Sequence, residues 1–182
     1  LANQANAWIV GDKPDEALAL FGEALEVARR YQRSRPGEVL DLLSSRGQLL
    51  LDQGKTQAAR ADLEEAELLL PKATADTSTR AILFAALSQL DLKDGQLDRA
   101  RSRGRLGVAA ALERPGEQAV ISNARLALAE ALVAGPEPEV DEAHKLAEEA
   151  LTYYRTAEAN DPEARARSER VLQFLAPRKG KR

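Results

Sequence analysis

The chain has 182 residues, 44% of them hydrophobic but only 4% aromatic, with no cysteine, no methionine, one histidine and a net charge of −3. These values allow one core of leucine, alanine and valine, exclude disulfides and, with a single histidine and no cysteine, come close to excluding a structural zinc site. The acidic balance disfavours general affinity for nucleic acid, which draws on clustered positive charge, and no run approaches the roughly 20 apolar residues that cross a bilayer.

A recurrence organises the rest. Gly11, Gly54, Gly95 and Gly135 follow one another at intervals of 43, 41 and 40 residues. Each follows an apolar helical run and precedes a second run with alanines at helical spacing. A fixed period of this size marks a helical repeat, whose units together bury a face that none buries alone.

In chain order, residues 2–10 read as the end of a helix, and Gly11-Asp12-Lys13-Pro14 as a turn whose proline suits a first helical turn. Over 15–33, Ala17, Leu20, Phe21, Ala24, Leu25 and Ala28 recur at the spacing of one helical face. Pro36-Gly37 breaks this helix. The next spans 38–52 with Leu40, Leu43, Gly47 and Leu50, turns at Gln53-Gly54-Lys55, and is followed by a helix over 56–70 that stops at Pro71. The third unit has a helix over 77–93 with Ile82, Leu83, Leu87 and Leu90, a turn at Asp94-Gly95 and a helix over 97–112. Gly104 and Gly107 lie inside that last helix, each at a cost of about 1 kcal/mol relative to alanine; close packing against a neighbouring helix accounts for such glycines. The fourth unit has helices over 117–134 and 140–157 around a Gly135-Pro136-Glu137-Pro138 loop. A last helix runs from Asn160-Asp161-Pro162 to Leu175. Arg165, Arg167, Glu169 and Arg170 make one side polar, and Val171, Leu172, Phe174 and Leu175 an apolar end, as in a helix that seals an open array. A basic tail, 176–182, reads as disordered. No segment alternates as a strand.

Leu43, Gly47, Leu50, Gly54, Ala59, Leu63, Ala66 and Pro71 match the order and spacing of the tetratricopeptide repeat consensus. Looser echoes are Gly11, Ala17, Phe21 and Ala24; Phe84, Leu87, Gly95 and Ala100, with Gly104 where a large residue is expected; and Gly135, Ala143, Ala147 and Ala150. The period exceeds the family's usual one of about 34 residues, so residues 2–158 resemble its long-helix members. The resemblance implies an all-α fold: a right-handed α-α superhelix, or solenoid, of about four helix-turn-helix units. These fall at about 1–35, 36–73, 74–114 and 115–158, with a cap at 161–175, all within one domain over 1–175. It implies a protein-interaction scaffold rather than an enzyme, without cofactor or metal, that binds a protein or peptide in a concave groove. Such tracts are appended to bacterial signalling proteins, and a chain that starts at Leu1 and lacks methionine reads as a piece of one, cytoplasmic and off the membrane.

In this family the groove is lined by the first helix of each unit. The outward positions there are Asp41, Ser44, Gln48 and Asp52, then Ala85, Gln89 and Lys93, then Ser122, Arg125 and Ala129. The family's two-carboxylate clamp of lysine, asparagine and arginine is not matched: Asn6 could serve, but no lysine or arginine accompanies it at the expected places. On a second helix, Arg99, Arg101, Arg103 and Arg105 could grip phosphate, nucleic acid or an acidic partner; the plainer reading is a solvated face with Asp98 nearby. Self-association through apolar edges of the first and last helices is a further alternative. Gly54-Lys55-Thr56 resembles the end of a phosphate-binding loop, but Leu49 stands where that motif needs glycine. His144 reads as surface, and Glu64-Glu65 and Glu148-Glu149 as exposed pairs outside any acid–base couple. Among the aromatics, Tyr154 falls on the core face, Tyr153 is half-exposed, and Trp8, near the edge of the first unit, packs against a preceding repeat or is left exposed by excision.

Overall fold

The computed structural model describes residues 13–31, 35–73, 75–159 and 162–176. Expectations for residues 2–12, Asn6, Trp8 and Gly11 among them, and for the tail from 177 lie outside the described residues. The described chain is all-helical: α1 (Pro14–Arg30), α2 (Pro36–Asp52), α3 (Thr56–Leu69), a 3-10 turn (Leu70–Lys72), α4 (Thr77–Lys93), α5 (Leu97–Leu112), α6 (Gln118–Val133), α7 (Val140–Ala157) and α8 (Pro162–Leu175). Pro36, expected as a breaker, opens α2 instead. At a helix start its missing N–H costs nothing and its fixed φ already fits.

Two of the repeated glycines make the same turn. Gly54 and Gly95 both sit at φ 72°. After α2, the Lys55 N–H donates to Leu50 O at 2.8 Å and the Gly54 N–H to Leu51 O at 2.9 Å. After α4, the Gln96 N–H donates to Asp91 O at 2.8 Å and the Gly95 N–H to Leu92 O at 3.1 Å. This paired closure satisfies carbonyls that a helix end leaves open, and it needs a left-handed residue. A Cβ on Gly95 meets nothing within 4 Å, so only the backbone resists substitution. Gly95→Ala is expected to cost about 1 kcal/mol, read as a lower midpoint in urea unfolding; an unchanged midpoint would refute the strain argument.

Within each unit the two helices pack as a hairpin: α2 on α3, α4 on α5, α6 on α7. The first helices also pack on one another, α2 on α4 and α4 on α6, while α5 wedges between α4 and α6. The amino-terminal core is rich in leucine, with Phe21, Leu25, Leu40, Leu43, Leu63, Leu83 and Leu87. The carboxy-terminal one is rich in alanine, with Ala129, Ala143, Ala147 and Ala150 around Leu132 and Tyr154. Small residues there let helix backbones approach closely. Gly47 is buried against Leu63. Gly104 faces the α6 backbone at Leu128, and Gly107 faces the α4 backbone at Ala85, so both α5 glycines serve close approach on two different sides.

Candidate functional site

The α5 arginines are engaged with neighbouring helices. Arg101 donates to the carbonyls of Ala131 (3.3 Å), Ala134 (2.9 Å) and Glu137 (2.9 Å), which closes the end of α6 where no helical N–H remains. Arg103 bonds Asp91 on α4 at 2.6 Å and Glu67 on α3 at 2.6 and 2.8 Å. Arg105 bonds Glu139 at 2.8 Å and Glu142 at 3.3 Å, and Arg99 lies 3.2 Å from Asp91. With α5's cations neutralised in this way, little positive charge is left over for a polyanion.

These ties belong to a ladder. Arg29–Glu65, Arg60–Asp94, Arg103–Glu67 and Arg105–Glu139 each link residues 34 to 36 apart in sequence, about one unit. Arginine suits this role because its planar fork meets carboxylates two bonds at a time.

The eight groove candidates separate by position. Ser44 and Ser122 are fully buried. The Ser44 hydroxyl donates to Leu40 O at 2.8 Å, whereas the Ser122 hydroxyl has no hydrogen-bond partner. Ala85 and Ala129 are buried as well. The physical reason is that α2, α4 and α6 pack on each other as well as on their second helices, so part of each outward face becomes interior. Asp41 accepts from the Thr79 hydroxyl on α4 at 2.7 Å. Crowding by the protein pushes its carboxyl up from the usual range, opposed by the Thr79 bond. Arg125 pairs with Glu149 on α7 at 3.0 Å.

Gln48, Asp52, Gln89 and Lys93 do come together. The Gln48 amide donates to Asp52 at 3.1 Å and lies 3.5 Å from the Gln89 oxygen. Asp52, Gln89 and Lys93, with Glu130 of α6, bound one side of a cleft of about 540 Å³, whose other side is Ala166, Arg167 and Arg170 of α8; Gln48 stands beside it. Glu130 escaped the sequence reading, yet Gln48, Gln89 and Glu130 stand 41 residues apart in succession, the same period as the turn glycines.

The last helix does more than seal an end. Ala164, Ser168 and Val171 are buried, and α8 packs on α7. His144 of α7 meets Phe174 edge-on at 6.0 Å, so that histidine helps seat the helix. The arginine side of α8 then turns to the first-helix row. Arg167 bonds Asp52 at 3.0 Å across 115 residues of sequence, and Arg170 grips Glu130 through two bonds of 2.7 and 2.6 Å. Burial pushes the Glu130 carboxyl up from its ordinary value, with Arg170 pulling the other way.

Tyr154 is buried, with its hydroxyl donating to Asn123 at 2.7 Å, and Tyr153 is half-buried beside it. Among the described residues, no group of three or more His, Cys, Asp or Glu side chains could hold a metal ion, and no helix is long and apolar enough to cross a membrane. Comparison with protein-family models, with curated proteins and with solved structures returns no match.

Proposed function

We propose that this chain is a tetratricopeptide-type α-solenoid that works as a protein-interaction scaffold, with its site on the face of α2, α4 and α6. Two features support the solenoid reading. The first helices pack directly in a row, while second helices α1 and α3, and α3 and α5, are tied through long arginine and glutamate side chains. A row close on one side and bridged on the other supports a curve with the close side, the first-helix face, inward. The observation that carries the functional reading is the polar series Gln48, Gln89 and Glu130, repeated at one period along the first helices, with Gln89 and Glu130 lining a cleft that already receives a helix. On the family resemblance, the partner is a protein or peptide and the setting a larger cytoplasmic signalling protein of a bacterium.

The test uses the full chain and a Gln48→Arg/Gln89→Arg/Lys93→Glu variant as paired baits in bacterial lysate, after circular dichroism shows equal helix content. Specific proteins retained by the native chain are expected to drop out of the variant's eluate. Identical eluates would overturn the site assignment.

A further inference from the structure

We propose that α8 is a built-in competitor for this groove, and that the partner it mimics is a protein helix with two arginines three residues apart beside an apolar stripe. The inference rests on the groove reading above and adds the partner's chemistry and its regulation. The charge match is explicit. Arg167 and Arg170, three residues apart, reach Asp52 on α2 and Glu130 on α6, with Gln89 of α4 lining the same cleft. Side chains at that spacing share one helical side, so a partner helix with the same pair finds the same two carboxylates.

The seat of α8 is also imperfect. A cleft of about 540 Å³ remains between Leu51 and Leu92 on the row and Ala166 on the helix. A partner with a larger apolar residue at the place of Ala166 would occupy part of it. On the buried face, the Ser168 hydroxyl is 1% exposed and has no hydrogen-bond partner. A buried hydroxyl left unpaired weakens the docked state. A helix held in this way opens before the rest of the fold, and while closed it taxes the affinity of anything that needs its place.

The probe is a fluorescent synthetic peptide of residues 162–176, titrated by anisotropy against the full native chain and against the full-length Arg167→Glu/Arg170→Glu variant, in which α8 faces Asp52 and Glu130 with like charge. The variant is expected to bind the peptide at least about tenfold more tightly than the native chain, the ratio expected when α8 is open less than about a tenth of the time. A peptide carrying the same two Arg→Glu changes is expected to bind neither. Equal affinities, or no binding to the variant, overturn the proposal. Because charge reversal could unfold the chain, hydrogen exchange on the native protein gives an independent arm. The α8 amides are expected to exchange at least about tenfold faster than those of α7; exchange of α8 only with global unfolding overturns the proposal. Dimers of the native chain formed by exchange of α8 would make a second copy the occupant and overturn a partner protein as its source. If the peptide fails while the Gln48/Gln89/Lys93 variant still loses its captured proteins, the arginine chemistry falls and the groove stands; if the eluates are also identical, both fall.

Discussion

Replacing Arg103 by alanine is expected to lower the stability of the fold by about 3 kcal/mol, because it strands a buried carboxylate. The Arg103 side chain is 14% exposed and Asp91 beside it 3%. One guanidinium joins three helices, with Asp91 on α4 at 2.6 Å and Glu67 on α3 at 2.6 and 2.8 Å. Asp91 keeps Arg99 at 3.2 Å, but from a side chain 59% exposed, which compensates weakly. Arg103→Lys keeps the charge and loses the fork, so an intermediate loss is expected. Arg105→Ala is the control. Its pairs with Glu139 and Glu142 are exposed on both sides, 46% against 40% and 47%, and such pairs are worth under about 1 kcal/mol. Urea unfolding of the three variants separates the readings of this helix. An array of nucleic-acid contacts would show lost binding in both alanine variants with unchanged midpoints. Internal ties show a large shift for Arg103 and a small one for Arg105. An Arg103→Ala protein as stable as the native chain would refute the buried-pair account.

Gly107→Leu is expected to cost about 2–3 kcal/mol through overpacking. A Cβ at Gly107 would lie 3.2 Å from Ala85 N and 3.4 Å from Ala81 O, both main-chain atoms of α4. Neither can rotate away as a side-chain end can, and a leucine adds three more carbons beyond that Cβ. Gly107→Ala asks α4 to yield only a few tenths of an ångström, against a helix-propensity gain of about 1 kcal/mol, so it should stay within about 1 kcal/mol of the native chain. Gly22 in α1 supplies the contrast, since a Cβ there meets nothing within 4 Å. Gly22→Ala is expected to stabilise by about 1 kcal/mol. Thermal unfolding of the set decides: Gly107→Leu and Gly22→Ala moving in the same direction would refute the close-packing account of α5.

The helices and turns were legible in the sequence because local rules carry them. α4, α5 and α7 run over the spans that apolar periodicity and turn residues predict, 77–93, 97–112 and 140–157, and Gly54 and Gly95 take the left-handed turn that glycine at a helix end implies. Tyr154 lies in the core as its position predicts. The pairing of α5's arginines was not legible. Most of their partners, such as Glu67, Ala134 and Glu139, lie about one unit away, beyond the i+3 and i+4 neighbours a helical wheel displays. Nor did outward spacing on a single helix reveal that Ser44 and Ser122 are interior, because that follows from α2, α4 and α6 packing on each other. The sequence by itself determined where the chain is helical, where it turns and which residues repeat, since backbone conformation and periodicity act within a few residues. Only the tertiary structure decided which outward positions are covered and that Arg167 of α8 reaches Asp52, since a surface is defined by the neighbours that do and do not cover it.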